Sequence, residues 1–300
     1  MSRVFSSPEI DATPGPVARH RSLGAVVVTG ASTGIGEATA LHLAALGYRV
    51  LAGVRNARDF ETMRTRAPGI EPVMLDITDE DQIAALVEFV ERTEPGGLRG
   101  LVNNAGVGQV GPIEILTSQQ WRDVLEVNVI GTVAITRALM PSLFRAKGRV
   151  VNIGSAGGRM AFPLFGPYTA SKFAMEGFSD VLRREIEPHG IRVVCVEPGV
   201  VSSAIYNKNL GESYERTERL SPDQAVRYRK KLDSAHRSAE EAKDNAASPA
   251  TVAPAVAKAL SARRPRTRYV VGWDSRTAVI CARILPDRLA DFIIARLTAN

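Results

Sequence analysis

The stretch AVVVTGASTGIGEATALHLAAL, residues 25–46, decides how this chain folds. Ala25–Thr29 is a short β-branched run, the kind of strand that is buried on both faces of a parallel sheet. Glu37–Leu46 has helical composition and stops at Gly47, which suits a left-handed C′ residue. Between them lies Thr29-Gly30-Ala31-Ser32-Thr33-Gly34-Ile35-Gly36. Glycine at three places permits a tight turn, close backbone approach to a pyrophosphate, and close packing of helix on strand. The helix that follows aims its first N–H groups and the positive end of its dipole at such a group. A glycine-rich turn alone is weak evidence for a nucleotide, because any strand–helix turn can hold glycines; its place between an apolar strand and a helix makes the evidence strong.

The alternation continues outward. Arg49–Val54 and Glu71–Asp76 read as the second and third strands, with a helix at Asp59–Arg66 between them. Asp79–Arg92 sets Ile83, Leu86, Val87 and Val90 on one helical face. Leu98–Asn103 reads as the fourth strand, Arg149–Ile153 as the fifth and Ile191–Glu197 as the sixth. Ser118–Arg145 is mostly helical, with Pro141 marking a bend or a new start, and Ala170–Glu187 is a further helix. Such alternation implies βαβ units and an α/β fold: a Rossmann-like, doubly wound parallel sheet with helices on both faces. No linker interrupts it between residues 24 and 200, so one domain over 23–300 is expected, preceded by a flexible tail over 1–22. Residues 207–247 turn charged and poor in large apolar side chains, as in a lid with helical pieces or a solvent-facing insertion; the lid is the expectation. Residues 249–300 form a C-terminal extension, with helical Pro249–Leu260, an edge strand at Arg268–Val271, and an apolar stripe over Ile280–Leu297 that reads as a packing or dimer surface.

Composition excludes several function classes. Apolar residues make up 45% and charged residues 23%, ordinary values for a globular chain. The formal charge of +6 is mild, and the densest basic run (Arg263, Arg264, Arg266, Arg268) is broken by Pro265 and Thr267, so it reads as a solvated loop and no nucleic-acid partner is expected. Cys195 and Cys281 are the only cysteines, which leaves no disulfide framework; the four histidines never fall at ligand spacing, and no metal is expected. No run of 18 apolar residues and no signal-like h-region appear, so no transmembrane segment and a cytoplasmic location are expected.

The glycine spacing is G-x-x-x-G-x-G, and with four later marks the chain resembles the short-chain dehydrogenase/reductase family. Asn103-Asn104-Ala105-Gly106 closes the fourth strand, Asn128 lies in the long helix, Ser155 follows the fifth strand, Tyr168-Thr169-Ala170-Ser171-Lys172 is a Y-x-x-x-K motif, and Pro198-Gly199 closes the sixth strand. The resemblance runs from about Ala25 to Ser203 and implies a nicotinamide dinucleotide. Gly30, Ser32, Thr33, Gly34, Ile35 and Gly36 would cradle its phosphates, Asp76 and Ile77 its adenine, and Asn103, Ala105 and Gly106 its middle. Pro198, Gly199, Val201 and Ser203 would meet the nicotinamide, with Ser203 in place of the family's more usual threonine. In NAD-preferring members an acidic residue closes the second strand; here Val54 and Arg55 stand there, so nothing repels a 2′-phosphate and a guanidinium can pair with it. NADP(H) is therefore expected over NAD(H), although Thr33 holds a place where some NADP-preferring members carry a second basic residue.

The resemblance implies Asn128, Ser155, Tyr168 and Lys172 as the catalytic set. Tyr168 and Lys172 are four apart and share a helical face. A free phenol is a poor base at neutral pH, and a neighbouring cation favours the phenolate. Tyr168 would exchange a proton with the substrate oxygen, Lys172 would hold the nicotinamide ribose, Ser155 would donate to the same oxygen, and Asn128 would hold a relay water. Met160, Phe162, Leu164, Phe165, Ile205 and Tyr206 would face the substrate. This stretch and Val50-Leu51-Ala52-Gly53 are similar to steroid- and retinol-type members, which implies a small lipophilic carbonyl or alcohol. The family also implies a homodimer or homotetramer built on the helices of Asn128 and Tyr168. The competing readings are a dinucleotide-sensing regulator without turnover, which has no need of all four catalytic residues; an NAD-preferring dehydrogenase; and a nucleic-acid or membrane-surface protein, for which no reading element is present.

Overall fold

In the computed structural model, which describes residues 23–202, 211 and 213–297, the first strand β1 (Ala25–Val28) is enclosed on both faces. Val26 and Val28 face a core completed by Ala40 and Leu43 of α1 (Gly34–Ala45) and by Val256 and Leu260 of the late helix Ala253–Ser261. Ala25 and Val27 face the opposite core, with Ile83 and Leu86 of α3 (Glu80–Thr93) and Ile135, Leu139 and Leu143 of α5 (Thr132–Ala146). Each large side chain so enclosed contributes about 1.5–3 kcal/mol, so the two-sided apolar pattern of β1 anchors both layers.

β1 pairs in parallel with β2 (Arg49–Val54) on one side and β4 (Gly100–Asn103) on the other. With β3 (Ile70–Met74), β5 (Arg149–Ile153), β6 (Arg192–Pro198) and β7 (Arg268–Val271), the order is β3-β2-β1-β4-β5-β6-β7, every pairing parallel. The direction of strand addition reverses between β1 and β4. In an open sheet of this type that reversal leaves a crevice at the carboxyl ends of the strands. The strand at Arg268–Val271 is at the edge, as its sequence suggested.

Several boundaries differ from the sequence reading. α1 begins at Gly34, inside the glycine turn, and α6 (Gly166–Ile186) begins before Tyr168 with Pro167 in its first turn, a position where the missing N–H costs nothing. β3 ends at Met74, so Asp76 and Ile77 follow the strand. The long helical stretch is interrupted at a π segment, Glu126–Gly131, between α4 (Ser118–Leu125) and α5, whereas Pro141 sits inside α5. By length and composition Ser118–Ala146 would suit a bilayer, but Ile135, Leu139 and Leu143 are buried against the sheet. The charged stretch expected as a lid holds helical residues 213–218 and one long helix, α7 (Pro222–Asn245), opened by a Ser221/Gln224 capping box. α8 (Ala253–Ser261), α9 (Trp273–Ile284) and α10 (Asp287–Leu297) complete the chain. The tail expected over 1–22, and Ser203, Ile205 and Tyr206, lie outside the described residues.

Candidate active site

The β1–α1 turn is shaped by close backbone contact. Gly30 and Gly34 adopt φ values of 62° and 60°, the left-handed region that favours glycine. A Cβ on Gly30 would lie 2.8 Å from Ala105 Cα, and one on Gly36 would lie 2.1 Å from the Gly30 carbonyl oxygen and 2.4 Å from Asn104 Nδ2. Polar contacts hold the two loops together. Thr29 Oγ1 accepts from the backbone N–H groups of Asn104 (3.0 Å) and Ala105 (2.9 Å), and Asn104 Nδ2 donates to the carbonyls of Thr29 and Gly30. Thr33, the residue before α1, makes no side-chain cap bond, which leaves first-turn amides of the helix for an anion. A cradle with no room for a side chain, beneath an uncapped helix, fits a dinucleotide pyrophosphate.

The cradle opens into a cavity of about 650 Å³. Gly30, Ser32, Thr33, Gly34 and Ile35 line its phosphate end, and Val54, Arg55, Asp76 and Ile77 the end beyond β2 and β3. Arg55 is exposed and has no ion-pair partner among the described residues. Asp76 Oδ1 accepts from the Thr78 backbone N–H (3.0 Å) and hydroxyl (2.7 Å), which fixes the carboxylate. Ala105 and Gly106 line the middle, and Pro198, Gly199 and Val201 the wall after β6.

The acid–base groups meet beside that wall. Ser155 follows β5, and its Oγ accepts from the Gly157 N–H at 3.1 Å, so its own proton is left for another acceptor. A Cβ on Gly157 would lie 3.5 Å from Ser155 Oγ and 3.6 Å from Tyr168 Cε1; the glycine therefore leaves open the space where both side chains converge. One turn along α6, the buried Lys172 donates from Nζ to the Ile153 carbonyl at 2.8 Å and sits 5.6 Å from the centre of the Tyr168 ring. That bond takes one of its three N–H donors and leaves two.

Three assigned residues stand off the cavity wall. Asn103 is buried, and its Nδ2 donates to Thr136 Oγ1 (2.9 Å) and Asn152 Oδ1 (2.8 Å); it braces β4 against α5 and β5, and Asn104 takes the place at the cradle. Gly36 serves the packing of turn on helix. Asn128, in the π segment, donates from Nδ2 to the Val107 carbonyl and Ser171 Oγ, both at 2.9 Å, and accepts the Val107 N–H at 2.8 Å. Both amide donors are thus committed to tying the loop after β4 to α6. The sequence reading missed Asp274, whose Oδ2 accepts the Val200 N–H at 2.7 Å and whose carboxylate sits where a Cβ on Gly199 would fall. It also missed Lys231, Ser234 and His236 of α7, which line the same cavity. Nothing in their spacing marks them, since only the return of α7 over the site brings them there.

Comparison with known proteins accords with this geometry. Residues 24–213 match the family model described as short chain dehydrogenase. Human retinol dehydrogenase 16 is 36% identical over 277 residues, and mouse retinol dehydrogenase 5 is 38% identical over 277, each alignment covering 90% of this chain and 87% of the relative. Human 17-beta-hydroxysteroid dehydrogenase type 6 is 36% identical over 283 residues with the same coverage. Among solved structures, a short-chain dehydrogenase from Streptomyces avermitilis superposes with a TM-score of 0.71 at 29% identity, covering 93% of this chain and 96% of that one. A short chain dehydrogenase from Burkholderia cenocepacia, solved in complex with NADP, gives 0.69 at 26% identity, covering 92% and 98%. The chain belongs to the short chain dehydrogenase family and is an oxidoreductase that interconverts an alcohol and a carbonyl with a nicotinamide dinucleotide.

Proposed function

We propose that this protein oxidises or reduces a lipophilic alcohol–carbonyl pair, with NADP(H) preferred over NAD(H), and that Asn128, Ser155, Tyr168 and Lys172 carry the reaction. The observation that carries this reading is the convergence of Ser155 and Tyr168 over Gly157, beside the buried Lys172, in a cavity that begins at the glycine cradle. When bound there, the nicotinamide supplies the hydride acceptor or donor. The Ser155 hydroxyl, held by the Gly157 N–H, points its proton to the substrate oxygen, and Tyr168 gives or takes the proton that balances the hydride. The Lys172 ammonium, held by the Ile153 carbonyl, keeps two N–H donors for the ribose and a water. Asn128 positions Ser171 and, through it, the first turn of α6.

A lipophilic substrate is supported by Val107, Val110, Phe162, Leu164 and Phe165 on the cavity wall, and by relatives named retinol and 17-beta-hydroxysteroid dehydrogenases. The NADP(H) preference rests on Arg55, on the absence of a carboxylate at position 54 or 55, and on a relative solved with NADP. The 207–247 stretch acts as the substrate lid. Its neck is drawn together by the pairing of Val200 and Ser202 with Ala247, and Leu232 of α7 packs on Val110 and Leu164. Exposed Ile130 and Val133 on the Asn128 helix, with Phe173 and Val181 on the Tyr168 helix, support a homodimer or homotetramer built on those faces.

The test is titration with NADPH and NADH followed by turnover on a panel of lipophilic alcohols, ketones and aldehydes. Turnover by the wild type, with Tyr168→Phe about 10²–10⁴-fold slower but still binding NADPH, is the expected result. Undiminished turnover by Tyr168→Phe overturns the assignment.

A further inference from the structure

Two carboxylates line the cavity among the described residues, Asp76 and Asp274. Asp76 stands beyond β3 and is fixed by Thr78, whereas Asp274 belongs to the first turn of α9 and reaches the wall after β6. Two glycines make room for it. A Cβ on Gly199 would lie 2.0 Å from Asp274 Oδ2, and one on Gly272, whose φ is 99°, would lie 2.4 Å from Oδ1. The carboxylate is thus received between the ends of β6 and β7, where Oδ2 accepts the Val200 N–H at 2.7 Å. No guanidinium or ammonium pairs with it among the described residues. Lys172 and Lys231 bring positive charge to the same cavity, and Asp274 is the carboxylate placed on the wall after β6 to offset it.

The glycine cradle suits the pyrophosphate, and the ring that exchanges hydride has to reach the carbon whose oxygen meets Ser155 and Tyr168. That requirement puts the ring at the wall after β6, which Asp274 joins. A nicotinamide is cationic when oxidised and neutral when reduced, while the phosphates are the same in both forms. A carboxylate at this wall therefore attracts the oxidised ring and is indifferent to the reduced one. We propose that Asp274 poises the cofactor: its charge, and not only its tie to Val200, makes the protein hold the oxidised nucleotide more tightly than it otherwise would. The reduction potential of the bound couple is lowered accordingly. This inference rests on the nicotinamide reading of the cavity and deepens it.

The experiment is calorimetric titration of the full chain with NADP⁺ and with NADPH, for the wild type, Asp274→Asn and Asp274→Ala. Asparagine keeps the size of the side chain and an acceptor for the Val200 N–H, so it removes the charge and spares the tie. Alanine removes both. Asp274→Asn is expected to raise the NADP⁺ dissociation constant about 3- to 10-fold and to leave the NADPH constant within about twofold. Asp274→Ala should shift the ratio of the two constants by the same factor, with any further weakening common to both nucleotides. A ratio in Asp274→Asn equal to that of the wild type overturns the proposal, whether both constants rise together or neither moves. A ratio that changes in Asp274→Ala alone overturns it too, because the tie and not the charge would then be responsible. In those cases nucleotide still binds and the nicotinamide reading stands. Binding of neither nucleotide by the wild type overturns that reading, and the role of Asp274 with it.

Discussion

Val54 ends β2 fully buried, and the next side chain, Arg55, stands exposed at the far end of the cavity. With no ion pair to break among the described residues, its guanidinium can meet a 2′-phosphate in a fork geometry that lysine does not offer. A hydrogen bond to a charged group is worth about 1.5–3 kcal/mol, which is roughly 10- to 100-fold in affinity. Arg55→Ala is therefore expected to raise the NADPH dissociation constant by about that factor and to leave the NADH constant within about twofold, as read by fluorescence titration. An equal change in both would assign the preference elsewhere. Adjacent residues also explain a limit of motif reading. Asn103 and Asn104 are chemically alike, yet neighbouring side chains of an extended chain point to opposite sides. Asn103 consequently enters the core toward Thr136 and Asn152, while Asn104 reaches the glycine turn. The motif locates the pair, and only the pleat tells them apart.

Elements were legible where a local signal starts or stops them. Asp79 caps α3 through bonds to the N–H groups of Asp81 and Gln82, and the apolar spacing of that helix matches the buried Ile83, Leu86 and Val90. The π segment has no comparable signal in the sequence. Its cause is tertiary: Gly131 presses on Ile77, where a Cβ would lie 2.8 Å from the Ile77 carbonyl oxygen, and Asn128 is locked to Val107 and Ser171. Such segments concentrate at functional sites. Asn128→Ala strips partners from the Val107 N–H and C=O together and removes the donor to the Ser171 hydroxyl, which still donates to the Tyr168 carbonyl. An orphaned group costs about 1–3 kcal/mol when fully buried and less when part-buried, as at Val107, so the variant is expected to lose about 1–2 kcal/mol in urea unfolding and to turn over more slowly. An unchanged urea midpoint with full turnover would mean that the tie between the β4 loop and α6 is dispensable. Residues 207–247 were expected to hold helical pieces, but the length of α7 was not legible, since it carries few large apolar residues and is held partly by polar contacts such as Arg227 and Tyr228 with Glu114.

At the scale of the molecule, β6, β7, α6 and the loop after Ser155 are joined by one charge cluster around the buried Glu176 and Glu197. Arg268 of β7 pairs with Glu176 (2.9 Å), Glu197 (3.2 Å) and Asp180 (2.9 Å), and Arg159 pairs with Glu197 (3.1 Å) and Glu176 (3.3 Å). Burial pushes the Glu197 carboxyl up, Glu176 adds to the push, and the Arg159 guanidinium opposes it. Cys195, also pushed up by burial, stays a thiol that donates to Glu176. Glu176, Cys195 and Glu197 lie close enough to share a cation, but the two guanidiniums already supply the positive charge. Arg268→Met would remove one of them and leave the carboxylates less compensated. Breaking a buried pair costs about 3 kcal/mol at neutral pH. The pH dependence follows from linkage: losing the cation raises the folded value of Glu197 further above its unfolded value near 4.5. A group raised in this way contributes stability that is complete below the unfolded value and is lost as pH rises through the folded one. The gap between wild type and Arg268→Met should therefore be small near pH 5 and widen toward pH 7.5, as measured by denaturant unfolding at both pH values. A gap of the same size at both would mean that Arg268 acts through packing at the sheet edge and that its charge is immaterial to the join.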